Sequence, residues 1–299
     1  ATLLGNEFVV YGDKTGGEGQ REGMVMPGYV VNYIGEEGHK VWDYTGTQGQ
    51  TIKFWDYTAD NYTFVAYSNK NRNADNSALE DPKIVGPSTV SGSFTIPAVT
   101  AEQLGNIHFA KTKKIESQNY SQDVNFMFSN AAAKVRVAFY NTIPGYHVNI
   151  LGFYSKGANE ATDDFYFYHA NEATFVTKAS YSVAPGHDAI TYTMLDAGKE
   201  TGANIQLGSG IGDANQVGGP NIAEATFDKA NKAYTFVHPQ PTNDKSLVVS
   251  VRYQMWTEGD IHPVEEHDVI IPAEYAQWKP NYAYTYLFKI SEGVVHEGI

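Results

Sequence analysis

The chain has no cysteine, a low content of charged residues and no long apolar run. Because cysteine is absent from all 299 residues, disulfides, thiolate metal sites and cysteine nucleophiles are excluded in this chain. Charged residues make up 18% of it, below the roughly 25% of average soluble proteins. No run of about 18 apolar residues occurs, so the sequence predicts no transmembrane helix.

Basic residues are scarce relative to acidic ones. The chain has 21 Lys and Arg against 34 Asp and Glu, which gives a formal net charge of -13. Nucleic acids and anionic membranes bind basic surfaces, so neither is predicted as the main partner. No signal peptide is visible at Ala1, a pattern that fits a cytosolic chain or an exported chain whose leader has been removed.

Aromatic and small polar residues take the place of charge. The 21 Tyr, 15 Phe and 28 Gly form a β-rich profile. Short alternating or β-branched runs recur, for example at residues 62–67, 246–253 and 284–290, and Gly, Pro, Asn or Asp bounds each one. Helical periodicity is weak, with single turns expected within residues 98–105 and 272–278. The sequence therefore predicts an all-β fold of antiparallel sheets packed face to face.

The length suits one large domain or two ordinary ones. Residues 112–123 are polar and form the best candidate linker, and residues 200–224 predict a long surface excursion because they are rich in Gly and Asn. We expect an N-terminal β-sandwich domain with an acceptor groove over residues 1–118 and a C-terminal β-sandwich domain over residues 119–299.

The tripeptide Trp-Asp-Tyr occurs twice, as Trp42-Asp43-Tyr44 and as Trp55-Asp56-Tyr57, and we call this the internal repeat. The spacing is that of a hairpin, so we interpret the two runs as a strand pair whose tryptophans share one core. A pair of tryptophans that stacks on a ligand is the alternative.

Three patterns with chemical potential have simpler structural interpretations. The glycine-rich run 208–212 lacks the helix start that a phosphate site requires after it. The Asn-rich run 69–80 departs from a calcium loop at its first position and at Ala74, which favours a solvated loop. The run 262–267 holds two His and two Glu, but Pro263 and the apolar residues that follow favour a charged hairpin turn over a zinc helix.

No catalytic set can be assembled by spacing. We therefore expect no catalytic activity, no cofactor and no metal ligand. A sugar-binding face built on exposed aromatic rings, such as those of Tyr166, Tyr168 and Tyr181, is an alternative. A secreted hydrolase that uses Glu265, Glu266 or His267 is a further one.

Several segments resemble segments of the fimbrillins, the type V pilus subunits of Bacteroides-like bacteria, and they occur in the same order along the chain. The strongest is the C-terminal run from Trp278 to Ile290, which alternates aromatic and small residues. The others are residues 1–12, 54–57 with 62–67, 106–110 and 126–135.

The resemblance implies two tandem transthyretin-like Greek-key β-sandwich domains in a subunit of a surface fimbrium. It also implies export as a lipoprotein to the outer membrane and removal of a leader segment after an arginine. Loss of the leader would leave an apolar groove with open strand edges in the first domain, and a strand of the next subunit would fill it by donor-strand exchange. Neighbouring pilin subunits are then the main partners, and a host or bacterial surface receptor or glycan is a further one.

The resemblance also suggests which residues form the assembly interface. The groove wall is expected at Phe8, Val9, Val10 and Tyr11, and the donor side at Tyr284, Tyr286, Phe288, Val294 and Val295. A donor strand needs about ten alternating residues to span a sandwich, and few apolar residues follow Ile290. A shaft position and a tip position in the fibre therefore both stay open, and a carbohydrate-binding outer-membrane surface lipoprotein is the alternative function.

Overall fold

The computed structural model of the chain describes residues 3–17, 23–71, 82–154, 165–169, 174–202, 205–207, 234–291 and 294–298. In these ranges the fold is almost entirely β, which confirms the predicted class. The strands are β1 (Glu7–Thr15), β2 (Gly23–Ile34), β3 (Val41–Asp43), β4 (Asn61–Asn69), β5 (Phe94–Thr100), β6 (Ile107–Lys111), β7 (Ile115–Glu116), β8 (Ser129–Asn130), β9 (Ala133–Asn141), β10 (His147–Tyr154), β11 (Phe165–His169), β12 (Phe175–Pro185), β13 (Ile190–Gly202), β14 (Ile205–Leu207), β15 (Thr235–Val237), β16 (Leu247–Thr257), β17 (Asp260–Ile271), β18 (Ala283–Ser291) and β19 (Val294–Gly298).

Helical structure in the described residues is limited to short turns. Helix α1 (Ala101–Gly105) starts with a capping box, in which Thr100 and Gln103 each accept a backbone N–H of the other. Two 3-10 turns occupy Ser117–Asn119 and Ala273–Tyr275. Two of these turns confirm those predicted from the sequence. No helix among the described residues is long and apolar enough to cross a bilayer.

The contacts group the chain into two compact units. The first contains Ala1–Ala131 and Lys178–Lys199, and the second contains Ala132–Thr177 and Glu200–Ile299. The chain therefore returns to the first unit after entering the second, because β12 pairs with β5. The division after residue 118 stays a prediction about domains that fold independently.

The first unit is built on a sheet of order β3-β2-β1-β4-β6-β8, in which β7 also pairs with β4. Strand β1 lies inside this sheet. Its Val9 is paired with Val30 of β2 on one side and with Tyr67 of β4 on the other, both antiparallel. Both backbone edges of β1 are thus hydrogen-bonded within the unit.

A second sheet, of order β13-β12-β5, covers one face of the first. Phe94 of β5 is fully buried. Its ring contacts Tyr11 of β1, Tyr67 of β4 and Phe109 of β6, with centroid distances of 5.6, 5.5 and 5.1 Å. These three strands are neighbours in the sheet, so one aromatic ring joins the two layers at their centre.

Irregular segments, rather than a third sheet, cover the opposite face. Tyr120 is fully buried there, stacks on Trp55 at 5.0 Å and donates its hydroxyl proton to the Ala59 carbonyl oxygen at 2.7 Å. The prediction of a linker over residues 112–123 is therefore wrong. Most polar residues of that run are exposed, but Thr112 is buried and the one large aromatic residue is part of the core.

The second unit has two sheets and one shared core. One has the order β15-β9-β18-β19. The other has the order β10-β16-β11-β14, with β17 also paired to β16. Pairing is antiparallel except between β9 and β18, which run parallel from the pair Lys134 and Ala283 to the pair Asn141 and Ile290. Apolar residues of both sheets share one buried cluster, including Val251 of β16.

The segment 272–278, for which a single turn was predicted, ends at Trp278. Its side chain is fully buried, and its Nε1–H donates to the Tyr286 hydroxyl at 2.9 Å. That hydroxyl donates in turn to the Tyr275 carbonyl oxygen at 2.6 Å. The chain thereby satisfies the polar atom of its largest buried side chain inside the core.

Candidate functional site

The predicted residues of β1 divide between the two faces of its sheet. Phe8 and Val10 lie on the face without a covering sheet, where both are buried. The ring of Phe8 contacts Trp42 at 4.9 Å, Phe126 at 5.7 Å and Phe128 at 5.3 Å. We call this apolar surface, with Phe8 and Val10 at its centre, the β1 face.

Residues 124–128 form part of the cover of the β1 face, and we call them the covering segment. Val124, Phe126 and Phe128 pack against the core, while Asn125 and Met127 are exposed, Met127 to 72%. This alternation is that of an extended strand. No strand pairing includes these residues among the described ranges. The segment is therefore held chiefly by its alternate apolar side chains.

The other two predicted residues of β1 point to the face that carries the second sheet. Tyr11 packs against Phe94 there. Because β1 is paired on both sides, it is not the open edge that the sequence interpretation placed at Phe8 to Tyr11. An acceptor role for Phe8 and Val10 would use their side-chain face instead. An assembly role for Val9 and Tyr11 stays a prediction.

The internal repeat extends to four residues, and its two copies have the same local geometry. In Trp42-Asp43-Tyr44-Thr45 the Asp43 carboxylate accepts the N–H and the hydroxyl of Thr45, at 2.9 and 2.8 Å. In Trp55-Asp56-Tyr57-Thr58 the Asp56 carboxylate accepts both groups of Thr58, at 3.0 and 2.7 Å. Both tryptophans pack against one core, as predicted. The predicted strand pair is wrong, since only the first run includes a strand.

Residues 51–55, which lead into the second run, form an irregular strap whose Trp55 packs against the β1 face. Tyrosine hydroxyls hold its backbone where a strand would have a ladder. Tyr44 accepts the Lys53 N–H at 3.0 Å and donates to the Lys53 carbonyl at 3.3 Å. Tyr29 accepts the Thr51 N–H at 3.4 Å. On the outside of the strap, Phe54 is 85% exposed, and the nearby Tyr57 is 66% exposed.

An ion pair fixes the end of the strap to β1. Lys14 is buried, and its Nζ donates to Asp56 Oδ2 at 2.9 Å. The hydrogen bonds from Thr58, together with the Lys14 ammonium group, lower the pKa of Asp56 to about 2. These contacts favour the ionised carboxylate, so they hold the strap most firmly when Asp56 is charged.

The predicted donor residues of the C-terminal strands serve the core of the second unit. Tyr286 and Phe288 are buried, and the Phe288 ring stacks on Phe139 at 5.3 Å. The Tyr284 hydroxyl accepts the Lys279 N–H at 2.8 Å. The backbone of Val294 and Val295 lies in β19, which pairs antiparallel with β18. A donor role for these residues stays a prediction that requires β18 and β19 to leave these partners.

The histidine-containing run 262–267 lies inside strand β17, not in the turn that was predicted. Tyr253 of β16 donates its hydroxyl proton to Glu265 Oε2 at 2.8 Å, and His267 Nε2 lies 3.3 Å from the same oxygen. Burial and the nearby Glu265 carboxylate raise the pKa of Tyr253. Inward-pointing polar groups of this kind protect edge strands from pairing with other chains, which is a structural role.

The remaining sequence candidates fall into two groups. Tyr181 is fully buried, so its assignment to an exposed sugar-binding face is wrong. Asn69 and Asn71, at the start of the Asn-rich run, are also buried and bond to each other rather than to solvent. Residues 72–80 of that run, the glycine-rich run 208–212 and the side chains of Tyr166 and Tyr168 lie outside the described residues.

One polar cavity of about 400 Å³ lies at the end of β1. Asp13 and the hydroxyl-bearing Thr15, Thr63 and Ser91 contribute to its lining, and Asp13 Oδ2 accepts the Val90 N–H at 2.9 Å. Across the ranges that the structure describes, no group of three His, Asp or Glu side chains is placed to hold a metal ion.

No family model and no curated protein matches the chain. Solved structures of candidate cell adhesion proteins are similar to this chain at TM-scores below 0.5, three of them from Bacteroides species. The first, from Bacteroides eggerthii DSM 20697, has 10% identity and a TM-score of 0.44 over 98% of this chain and 87% of that one. The second, from Bacteroides uniformis ATCC 8492, has 17% identity and a TM-score of 0.41 over 99% of this chain and 90% of that one. The third, from Bacteroides fragilis NCTC 9343, has 11% identity and a TM-score of 0.36 over 98% of this chain and 84% of that one.

The depressed pKa of Asp56 predicts a loss of stability in acid. The charged form is favoured in the folded state, so this contribution is complete above the unfolded value of about 4. It is lost as the pH falls towards the folded value of about 2. Asp56→Asn should be less stable than the wild type at pH 5, and the difference should shrink towards pH 2. Thermal unfolding midpoints between these pH values measure it.

Asp244→Asn, which changes an exposed aspartate of the second unit, is the matched control. It should follow the wild type at every pH. A constant difference between Asp56→Asn and the wild type across the whole range would contradict the assignment.

Proposed function

We propose that this chain is a structural or adhesive protein of the bacterial cell surface, without catalytic activity, that assembles with neighbouring subunits into a fimbrium. Two things support the proposal. Several segments of the sequence resemble segments of the fimbrillins and occur in the same order. In addition, the first unit has an apolar β1 face that an extended segment covers. Export with a leader, a lipoprotein precursor and attachment to the outer membrane belong to the same proposal.

The observation that carries the assembly part is the way the covering segment lies on the β1 face. Alternate side chains, Phe126 and Phe128, contact Phe8, and the residue between them, Met127, is exposed. A strand supplied by another subunit would present the same alternation. The covering segment is thus an internal occupant of a surface that suits an incoming strand.

The absence of a backbone ladder makes this cover suitable for replacement. An exposed apolar face of this kind would promote aggregation before assembly. A cover held by side chains protects the face in the free subunit, and its release breaks no strand pairing among the described residues. We propose that a neighbouring subunit's strand displaces it, and that residues 284–295 supply the strand.

Immunogold electron microscopy of intact cells tests the function directly. With antibody to this chain, gold along surface filaments is expected for a shaft subunit, and gold at filament ends for a tip subunit. Labelling only after the cells are permeabilised would contradict a surface role. Gold on a bare outer membrane would favour the carbohydrate-binding alternative.

Weakening the cover should strengthen strand capture. Phe126→Asp removes an apolar contact with Phe8, so the state in which the covering segment has left the β1 face becomes more populated. The apparent affinity of that face for a strand then rises. A synthetic peptide of residues 284–295 should bind this variant about tenfold more tightly than the wild type. Calorimetry or fluorescence anisotropy measures the affinity.

Met127→Asp is the matched control, because it adds the same charge to the same segment on its exposed side. It should bind the peptide as the wild type does. Equal binding by all three proteins would contradict displacement of the cover.

One observation favours glycan binding as a second candidate function. Phe54 of the strap and Tyr57, two residues beyond it, present exposed rings, and hydrogen bonds and an ion pair hold the strap in place. Flat aromatic faces of this kind stack on sugar rings, and the strap keeps them ordered at little entropic cost. The sequence interpretation named Tyr166, Tyr168 and Tyr181 for such a face, and of these Tyr181 is buried.

Substitution of both rings should remove such binding. Phe54→Ala combined with Tyr57→Ala should abolish signals on a glycan array that the wild type gives, without a change in thermal stability. Tyr282→Ala, at an exposed tyrosine of the second unit, should leave them intact. Equal signals for the double variant and the wild type would contradict this site.

A further inference from the structure

The second sheet of the first unit ends in a long edge strand. Strand β13 (Ile190–Gly202) pairs with β12, and no other described strand pairs with it. The outer side of an edge strand presents N–H and C=O groups that can pair with another chain. Proteins usually block such edges, so an edge without a block is informative.

Two other edges of the molecule are blocked. On the β2 edge, the Gln50 side chain accepts the Val30 N–H at 2.6 Å and donates to the Val30 carbonyl at 3.0 Å, which replaces a neighbouring strand. On the β17 edge, Pro263 removes a donor, and Glu265 points inward. These are recognised devices against pairing between chains.

The first six residues of β13 carry none of these devices. Their sequence is Ile-Thr-Tyr-Thr-Met-Leu, residues 190–195, without charge, proline or glycine. Thr191 and Thr193 are exposed. The Tyr192 ring packs on Tyr181 of β12 with centroids 4.2 Å apart, which fixes the strand to its sheet. β-branched and aromatic residues of this kind favour strand pairing.

We propose that residues 191–195 form an interface between two copies of this chain, paired antiparallel about a two-fold axis through Thr193. The two sheets would then join into one continuous sheet across the axis. An isologous interface of this kind closes on itself as a dimer.

The charge pattern of β13 favours a second copy as the partner. Each copy has a net charge of -13, so two copies repel each other unless their contact region is free of like charges. Residues 190–195 meet this condition. Lys199 lies as far after Thr193 as His187 lies before it. The pairing therefore brings Lys199 of each copy opposite the turn of the other, beside Asp188, whose side chain is 92% exposed.

This inference is independent of the proposed function. It uses β13, whereas the displacement of the covering segment uses the β1 face. Failure of the β13 interface would leave the immunogold and peptide-binding results unaffected, and failure of those would leave the β13 interface in place.

A charge exchange at Thr193 tests the interface. Because Thr193 faces Thr193 of the second copy, Thr193→Lys alone and Thr193→Asp alone each place like charges opposite each other. Sedimentation velocity over a concentration series should show a wild-type dimer and a dissociation constant raised at least about tenfold in each variant. An equal mixture of the two variants should recover the dimer, because opposite charges then meet.

Ser88→Lys adds the same charge at an exposed residue of the same unit and should dimerise as the wild type does. Hydrogen exchange of the wild type is a second measurement that needs no variant. Protection of amides in residues 191–195 should rise with protein concentration. A wild type that stays monomeric at its highest soluble concentration would overturn the proposal, as would a mixture that associates no better than either variant alone.

Discussion

Burial of the β1 face is the constraint on which the first unit depends. The sheet around β1 is apolar on both sides, but the second sheet covers only the side where Tyr11 meets Phe94. The opposite side, with Phe8 and Val10, has only irregular chain to close it. Large rings bury the most area per ordered residue. This accounts for the aromatic residues Trp55 and Tyr120 in segments that form no sheet.

The strap and the covering segment meet this constraint in different ways. The strap is fixed through its backbone by tyrosine hydroxyls and through Asp56 by the Lys14 ammonium group. The covering segment has neither kind of anchor at residues 124–128 among the described contacts, and it depends on alternate apolar side chains. The difference connects the fold to the proposed function, because only the covering segment lacks contacts of the kind that anchor the strap.

Local pattern predicted the local structure well. Alternation and turn residues identified the all-β class, the two helical turns and the shared core of the two tryptophans. Pairings between distant residues have no local signal, so the return of β12 to β5 could not be foreseen. A polar run can also hide one core residue, as Tyr120 does. Alternation alone does not say which face of a strand is buried, which explains the error at Tyr181.

Hydrogen exchange measured by NMR on the free protein tests the central claim most directly. If side chains alone hold the covering segment, the backbone amides of residues 124–128 should exchange nearly as fast as those of an unfolded chain. The amides of β1, which are paired on both sides, should be protected by several orders of magnitude. Equal protection in the two regions would mean that backbone hydrogen bonds fix the cover in place, and it would contradict the account of a replaceable cover.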